Sequence, residues 1–523
     1  MRLLVVAKIL LFCKIRPMER DAKKFYVTTA IAYVNAAPHI GFALELIQGD
    51  ALARYHRLRG DDTFFLTGTD EHGVKIYEVA KDIGVPTREL VDMNAEKFEN
   101  LCDALNLSND DFIRTSSERH KNGAKKIWNK LCEKGDIYKD VYKGNYCVGC
   151  EAFILDKDLD EEGNCPNHGR KPELLEEENY FFRLSKYSDQ IKKAIESDEL
   201  LILPASRKKE MLNLIGDEGL KDVSFSRPKN LLPWGIDVPG DDSQVMYVWC
   251  DALSNYITAL DYENEGKLFE KFWPCDAHVI GKDILRFHAG IWIGMLLSME
   301  VSLPKSIYVH GFITSEGQKM SKSLGNVVDP FEYVEKYGVE ALRYYLLREI
   351  PTMDDGDFGW KRFVSLYNSE LANSFGNLVN RVLMMTERYC GGKVPQKGEN
   401  EEVFPVVEKI MDDYQKAFEV FDLKRACECI VELTNFGNKY IDEKKPWVVA
   451  KDEGDVGEIL YNLLEILRVL TVLFVPILPN IAFRISEGLG VGKNELKFEK
   501  KLGVMKEGAS IKSVGVLFPR IEE

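Results

Sequence analysis

The sequence lacks a long apolar run, an excess of basic residues and, outside one short segment, grouped cysteines. No stretch approaches the roughly 18 apolar residues of a transmembrane helix, so we expect no membrane span. Its 11 cysteines are mostly single and scattered, which favours a reducing compartment and predicts a cytoplasmic protein. Acidic residues exceed basic ones, 84 to 69, which argues against a general nucleic-acid coat but permits a local basic stripe.

The first 17 residues, MRLLVVAKILLFCKIRP, are basic and have no acidic residue. Lys8 and Lys14 interrupt the apolar stretch and no small-residue cleavage site follows, which disfavours a secretory signal. An organelle transit segment and a plain extension before a start at Met18 both stay open. The 523 residues have room for about three or four domains of roughly 150 residues each.

Strand-like and helical segments alternate in the first part of the chain. Residues 24–31 (KFYVTTAI) indicate a strand, apolar residues at helical spacing cover 41–58, and a second apolar strand spans 63–70. This alternation predicts a Rossmann-type α/β domain with a parallel sheet. Amphipathic segments at 364–390, 405–444 and 455–487 predict an all-α C-terminal domain.

Cys147, Cys150, Cys165 and His168 form a cluster with metal-ligand spacing. Two residues lie within each pair and fourteen between the pairs. Three thiolates and one imidazole predict a closed tetrahedral site for structural zinc, since four protein ligands leave no open position for catalysis. The short, glycine-rich segments around the cluster predict an inserted connective domain.

Two separate motifs suit phosphate chemistry. PHIG at 38–41 lies between a strand and a helix, where free backbone N–H groups and the helix dipole favour an anion. KMSKS at 319–323 lies between glycines, and its lysines can neutralise charge that develops as pyrophosphate leaves. Taken alone, the first is typical of an ordinary turn and the second of a solvated loop. Together they resemble the paired signatures of class I aminoacyl-tRNA synthetases.

Further segments resemble the methionyl-tRNA synthetases in particular, from about Phe25 to Trp447. They are YVTTAIAYVNAAPHIG, FFLTGTDEHG, EENYFFRLSKY, LKDVSFSR, VMYVWCDALSNYI, HVIGKDILRFHAGIW and GNLVNRV. The resemblance implies an enzyme that activates L-methionine with ATP and Mg²⁺ and transfers it to the 3′-terminal adenosine of tRNA(Met), initiator tRNA included. We also expect a monomer, because no appended dimerisation module is recognisable.

The resemblance implies four sets of site residues. The catalytic residues are His39, Lys319 and Lys322. The ATP-binding residues are Pro38, His39, Gly41, Gly281, Lys282, Asp283, Lys319, Met320, Ser321, Lys322 and Ser323. The methionine-binding residues are Ile31, Tyr33, Asp70, Trp249, Ala252, Leu253, Tyr256, Ile284 and His288. The anticodon-binding residues are Asn377, Arg381 and Trp447.

The chemistry of these sets fits their expected ligands. Aromatic and apolar walls suit a flexible thioether, and Asp70 provides a carboxylate for the α-amino group. Trp249 and Tyr256 are seven residues apart, which predicts one helix face. Single-stranded anticodon bases are read by stacking and by hydrogen bonds to their edges, and Trp447 and Arg381 offer both.

These patterns divide the chain into six parts. The expected ranges are an extension at 1–22, Rossmann halves at 23–137 and 225–330, a connective insertion with the zinc knuckle at 138–224, a stem-contact region at 331–363 and a helical anticodon-binding domain at 364–523. The insertion is too short for the editing domain of the isoleucine, valine and leucine relatives, which need a second sieve.

One position departs from the resemblance. Phe42 stands where the family usually has the second histidine of His-x-Gly-His, and a phenyl ring cannot donate to phosphate. A diverged or non-catalytic tRNA-binding paralogue therefore stays open. So do a cysteine or leucine synthetase and a small-molecule nucleotidyltransferase, although the last would not need the helical domain.

Overall fold

The computed structural model describes residues 23–148, 152–154, 159–166, 169–264, 266–320, 325–397 and 401–522. The expected extension at 1–22 lies outside the described residues. So do five of the predicted site residues: Cys150, His168, Ser321, Lys322 and Ser323.

Strands and helices alternate from Lys24 onward, as predicted. The first elements are β1 (Lys24–Thr29), β2 (Ala32–Tyr33), α1 (Ile40–Leu58), β3 (Asp62–Asp70), α2 (Val74–Ile83), α3 (Thr87–Ala104), β4 (Asp111–Arg114) and α4 (Glu118–Glu133). The next are β5 (Ile137–Cys147), β6 (Ala152–Ile154), β7 (Glu173–Phe182), a 3₁₀ turn (Leu184–Tyr187), α5 (Ser188–Glu196), β8 (Leu201–Leu203), α6 (Ala205–Ile215) and β9 (Val223–Ser224).

A second run of short elements completes the α/β part. It comprises β10 (Ser226–Pro228), β11 (Asp237–Val238), β12 (Asp241–Met246), α7 (Val248–Leu253), α8 (Asn255–Thr258), a 3₁₀ turn (Tyr262–Asn264), α9 (Lys267–Phe272), β13 (Ala277–Gly281), a 3₁₀ turn (Lys282–Ile284), a π-helical segment (Phe287–Trp292), α10 (Ile293–Ser298), β14 (Ser306–His310), β15 (Ile313–Ser315) and β16 (Gln318–Lys319).

Seven strands of the described chain form one sheet, and every recorded pairing in it is parallel. Along the sheet the order is β4, β3, β1, β13, β14, β8, with β2 continuing β1 against β3. From β1 the chain adds β3 and β4 on one side, and it later returns to place β13 on the other side of β1. Such a reversal leaves a crevice at the carboxyl ends of β1 and β13, where α/β sheets bind ligands.

The strand β8 lies within the expected insertion at 138–224, yet it pairs with β14 at the edge of the main sheet. The rest of that range forms a separate antiparallel sheet in the order β6, β5, β7, β9. The strands β10, β12 and β11 form a third, small antiparallel sheet.

Helix α1 packs directly on the central sheet. A Cβ atom at Gly49 would lie 2.9 Å from the Thr29 Cγ2 atom and 3.0 Å from the Phe65 ring. Glycine at this position therefore allows close contact between the helix and β1 and β3. The other side of α1 packs against the helical domain, since Tyr55 stacks on Phe418 at 4.1 Å between ring centroids.

The remainder of the chain is largely helical, as predicted. Its elements are α11 (Pro330–Tyr337), α12 (Val339–Arg348), β17 (Gly356–Phe358), α13 (Trp360–Leu366), a π-helical segment (Tyr367–Gly376), α14 (Asn377–Cys390), α15 (Phe404–Glu419), α16 (Leu423–Lys444), α17 (Pro446–Lys451), α18 (Gly457–Phe474), α19 (Pro479–Gly488) and a 3₁₀ turn (Lys493–Glu495). Across the described ranges, no helix is both long and apolar enough to cross a membrane.

Two of the predicted amphipathic segments are interrupted. The 405–444 segment breaks at Phe421, a buried residue with φ of +56°, and Asp422 caps the following helix by accepting from the Arg425 N–H at 2.9 Å. The 455–487 segment breaks before Pro479, the first residue of α19. Both interruptions let successive helices fold back onto one core.

Candidate active site

The PHIG turn forms the start of α1 at the carboxyl end of β1. His39 is the N-cap, and its Nδ1 atom accepts from the Gly41 N–H at 3.1 Å. Burial lowers the pKa of His39, so the ring is neutral near pH 7. Because Nδ1 accepts, the ring proton is on Nε2, which is a potential donor to an anion.

Phe42 packs into an apolar cluster next to this turn. Its ring lies 4.6 Å from the His39 ring and 5.1 Å from the Phe98 ring, measured between centroids. The cluster also includes Val34 and Val91. Phe42 therefore supports the His39 side chain by contact and contributes no hydrogen bond.

The second motif begins on a tight hairpin. The strands β15 and β16 are joined through Glu316 and Gly317, which have φ values of +50° and +75°, as a type I′ turn requires. The Asp357 carboxylate fixes this turn by accepting from the Gly317 N–H at 2.7 Å and the Thr314 hydroxyl at 2.6 Å. Lys319 is exposed at the end of the hairpin.

A backbone hydrogen bond joins the first motif to the segment that follows the second motif. The Ile40 N–H, in the first turn of α1, donates to the Val328 carbonyl at 3.1 Å. Val328 follows the lysine motif by five residues, and Met320 within the motif packs against the main core. Segments separated by about 280 residues in the sequence therefore meet at the same edge of the sheet.

The Gly281–Asp283 segment follows β13 on the opposite side of the crevice. Gly281 pairs with His310 of β14. Lys282 donates to both carboxylate oxygens of Asp355 at 2.7 Å and lies 4.5 Å from the centroid of the Phe312 ring. Asp283 is exposed.

Sequence reasoning missed a buried pair beside this segment. The Glu45 carboxylate and the His310 Nε2 atom are 2.9 Å apart, and the His310 Nδ1 atom lies 2.8 Å from the Gly311 carbonyl. Burial opposes a proton on His310, but Glu45 outweighs it and raises the pKa of His310. Burial also raises the pKa of Glu45, so the pair holds a proton readily. A carboxylate six residues after His39 on the same helix was the available sequence signal.

Six of the nine predicted methionine-binding residues belong to or pack against one apolar core: Ile31, Tyr33, Trp249, Leu253, Tyr256 and Ile284. Tyr33 and Asp70 are register partners between β2 and β3. Trp249 is half-buried and stacks on Phe287 at 3.8 Å between centroids. Ile31, Ile284 and Trp249 pack on the same apolar core, which also contains Leu253 and Tyr256.

The predicted single helix through Trp249 and Tyr256 is divided into α7 and α8. Both residues still contact the π-helical segment. Trp249 stacks on Phe287, and the Tyr256 hydroxyl lies 2.7 Å from the His288 Nε2 atom. Ala252 lies between them and is buried.

The protonation of His288 follows from its neighbours. Its Nδ1 atom is 3.0 Å from the Ile284 carbonyl, which can only accept, so Nδ1 carries the proton. Burial lowers the pKa of His288 to about 4. The ring is therefore neutral, and Nε2 accepts from the Tyr256 hydroxyl. These contacts hold the Tyr256 and His288 side chains in place without a charge, which suits a binding site for an apolar side chain.

A second unpredicted network joins α7 to α4 and to the segment that follows β3. Asp251 of α7 accepts from His72 at 2.6 Å and from His120 at 2.7 Å. The neighbouring Glu71 is fully buried and accepts from Arg114 at 2.6 Å. His72 and Glu71 directly follow Asp70 in the sequence, but their partners are distant in sequence and gave no local signal.

Cys147 and Cys165 meet in a small cluster of their own. Both are buried and pack with Ile154. The Gly169 N–H donates to the Cys165 carbonyl at 2.7 Å, and Gly169 has φ of +60°, a conformation that favours glycine. Two of the four predicted zinc ligands are thus adjacent, and Cys150 and His168 lie outside the described residues.

The three predicted anticodon-binding residues also lie together, on the surface of the helical domain. Asn377 is exposed at the start of α14. The Arg381 guanidinium lies 5.9 Å from the centroid of the Trp447 ring and donates to Asp442 at 2.7 Å. Trp447 is 42% exposed. Asp442, which the sequence did not reveal, orients Arg381 beside the exposed ring.

Comparison with known proteins assigns the chain to a family. A family model described as class I tRNA synthetases (M) matches residues 25–171 and 167–383, and one described as the anticodon-binding domain of methionyl tRNA ligase matches 391–523. A methionine–tRNA ligase of Caldanaerobacter subterraneus subsp. tengcongensis is 45% identical, over 96% of this chain and 79% of its own length. A methionine–tRNA ligase of Brucella suis biovar 1 is 42% identical, over 96% of this chain and 98% of its own length.

The chain belongs to the methionyl-tRNA synthetases. Among solved structures, a Mycobacterium tuberculosis methionyl-tRNA synthetase in complex with methionyl-adenylate is similar with a TM-score of 0.91. It is 38% identical to this chain, and the similarity covers 95% of this chain and the full length of the other. The predicted family and enzyme class, a methionine–tRNA ligase, are confirmed. A cysteine or leucine synthetase and a small-molecule nucleotidyltransferase are no longer alternatives.

Proposed function

We propose that this methionyl-tRNA synthetase activates L-methionine with ATP in the crevice at the carboxyl ends of β1 and β13 and then esterifies tRNA(Met), initiator tRNA included. The observation that supports this most strongly is the Ile40 to Val328 hydrogen bond. It brings the PHIG turn and the segment following the lysine motif to the same side of the crevice.

His39 and the lysine motif act on the phosphates of ATP. The neutral His39 ring donates through Nε2, and the first N–H groups of α1 add a positive dipole end. Lys319 and Lys322 neutralise charge on the leaving pyrophosphate, and Met320, Ser321 and Ser323 belong to the same ATP-binding motif. Mg²⁺ bound with ATP would supply further charge neutralisation. Pro38 and Gly41 permit close approach.

The opposite wall holds the adenosine. Gly281, Lys282 and Asp283 follow β13 at the switch point of the sheet. Lys282 acts through its pair with Asp355 and its contact with Phe312, which connect this wall to the base of the lysine hairpin. The Glu45–His310 pair lies next to Gly281 and offers polar atoms to a ribose.

The proposed methionine pocket is the region around Trp249, Tyr256 and His288. Asp70 binds the α-amino group, and Tyr33 closes the same side. Trp249, Tyr256 and His288 surround the thioether, together with the apolar wall of Ile31, Ala252, Leu253 and Ile284. The methionine carboxylate then attacks the α-phosphate of ATP, giving methionyl-adenylate and pyrophosphate. A terminal ribose hydroxyl of tRNA next attacks the acyl carbon, the acyl–phosphate bond breaks, and AMP leaves as the ester forms. Positioning and charge neutralisation carry both steps, and no protein nucleophile is needed.

Two further sites are proposed, one for the anticodon and one for a structural metal ion. Arg381, Asn377 and Trp447 read the anticodon by hydrogen bonds and stacking. Cys147, Cys150, Cys165 and His168 hold a structural zinc ion in the connective insertion. The burial of Cys147 and Cys165 in one cluster supports this donor set, whose thiolates and imidazole suit zinc. The scattered cysteines support a reducing, cytoplasmic setting.

The decisive test is ATP–pyrophosphate exchange with the purified chain and each of the twenty amino acids. Exchange with methionine alone is expected, and it would show that Phe42 is tolerated in place of a histidine. No exchange with any amino acid, from folded and zinc-loaded protein, would contradict the proposal and favour a tRNA-binding paralogue.

A further inference from the structure

The buried carboxylate of Asp251 joins two segments that contribute to the proposed methionine pocket. Asp251 is two residues after Trp249 and directly precedes Ala252 on α7. Its Oδ2 atom accepts from the His72 Nδ1–H at 2.6 Å, and His72 is two residues after Asp70. A single side chain thus connects the segment that binds the amino group to the helix that forms the aromatic wall.

A second imidazole extends the connection to α8. The His120 Nε2–H donates to the Asp251 Oδ1 atom at 2.7 Å, and the His120 Nδ1 atom lies 2.8 Å from the Thr258 hydroxyl. Thr258 is two residues after Tyr256. A Cβ atom at Gly123 would lie 2.5 Å from the Thr258 Cγ2 atom, so α4 packs closely against α8 here.

The network is sealed from water. Asp251 and His120 are fully buried, and His72 is 3% exposed. Burial raises the pKa of Asp251, but the two imidazoles outweigh it and bring that pKa to about 2. The carboxylate is therefore ionised at neutral pH and accepts from both rings, which makes each hydrogen bond charge-assisted and directional.

We propose that Asp251, with His72 and His120, is a positioning residue that sets the distance between Asp70 and the aromatic wall and thereby the affinity for methionine. None of the three is proposed to touch the substrate. This inference rests on the methionine pocket proposed above. It predicts that disturbing the network weakens methionine binding and leaves ATP binding largely unchanged.

The first experiment compares Asp251→Asn with Asp136→Asn. Asp136 is a matched control, because it is 1% exposed and accepts from Lys186, Tyr187 and Ser298, none of which belongs to the pocket. Methionine affinity is measured by calorimetry and the KM values for methionine and ATP by pyrophosphate exchange. Asp251→Asn should raise the Kd and KM for methionine by about tenfold or more, with the KM for ATP changed less than about twofold. Asp136→Asn should lower the melting temperature only.

A second pair of variants tests the direction of the hydrogen bonds. An asparagine amide nitrogen occupies nearly the position of a histidine Nδ1 atom, and a glutamine amide nitrogen that of Nε2. His72→Asn should therefore keep the donor to Asp251, whereas His72→Gln should lose it and bind methionine more weakly. At position 120 the order should reverse, because there Nε2 is the donor to Asp251. Simple loss of packing would not produce opposite preferences at the two positions.

The outcomes are distinguishable. If the parent chain binds methionine and Asp251→Asn leaves its Kd within about twofold, the positioning role is refuted while the proposed function stands. If Asp251→Asn does not fold, equal methionine affinities for the Asn and Gln variants at position 72 refute it instead. If the parent chain neither binds nor activates methionine, the proposed function fails and this inference fails with it.

Discussion

Arg343 is expected to be the strongest single contact between the α/β core and the helical domain. It lies on α12 with a fully buried side chain. Its guanidinium contacts Asp50 of α1 at 2.7 Å. It also donates to the carbonyls of Leu105 at 3.1 Å and of Ile477 and Pro476 at 2.9 and 3.1 Å.

Replacing Arg343 with methionine keeps most of the volume and removes every donor. Asp50 would retain Arg54 at 2.7 Å and the Ser108 N–H and hydroxyl at 2.7 and 2.6 Å. The Asp50 carboxylate would therefore remain paired and hydrogen-bonded. Three buried carbonyls would lose charged donors, each worth roughly 1.5–3 kcal/mol. The lower end of this sum overlaps the roughly 3–5 kcal/mol lost when a buried ion pair is broken, and we expect a loss in that range.

The assay is thermal unfolding of the parent, Arg343→Met and Arg119→Met. With an unfolding entropy of about 2 cal/mol/K per residue, the loss lowers the melting temperature by about 3–5 °C if the chain melts as one unit. Arg119 is the control, because its pair with Asp111 is partly exposed and should contribute less than about 1 kcal/mol. Equal melting temperatures for the two variants would refute the reasoning.

Three further predictions concern tRNA, zinc and acid. Trp447→Ala should lower kcat/KM for aminoacylation about 10- to 100-fold, since a stacked base contributes roughly 1–3 kcal/mol. Methionine-dependent pyrophosphate exchange should be unchanged. An equal loss in both assays would contradict an anticodon role. Cys165→Ser should lose bound zinc by elemental analysis and lower the melting temperature, and unchanged zinc content would exclude Cys165 as a ligand. The pKa of Asp50 lies at about 2, because Arg54 and Arg343 outweigh the effect of burial. The resulting stabilisation, about 2 kcal/mol, is complete above pH 4 and lost as the pH falls towards 2. Asp50→Asn should flatten this part of the curve of melting temperature against pH.

Much of the fold and of the candidate site was predictable because its signals are local. The strands β1 and β3 each have their own apolar run, and α1 has apolar residues at helical spacing. The PHIG and KMSKS motifs, the cysteine pairs and the pocket segments are short and continuous, so the sequence alone identifies them without their relative positions in space. The family and its reaction follow from these segments.

Features that depend on contacts between distant segments were not predictable. Phe42 looked like a lost donor, but only the packing shows that it supports His39 against Phe98. Lys282 gave no sign of its pair with Asp355, 73 residues away. The break at Phe421 arises because a buried ring and the Asp422 cap fit the core better than a continuous helix.

The sequence by itself therefore determined the order of the elements, the family and the chemical types of the site residues, because periodicity and motifs are properties of neighbouring positions. The tertiary structure decided which side chains are charged, paired and enclosed. The Glu45–His310 and Arg343–Asp50 pairs and the Asp251 network join residues from 131 to 293 positions apart. Their energies depend on burial and on charges brought close by folding, and no local pattern specifies either.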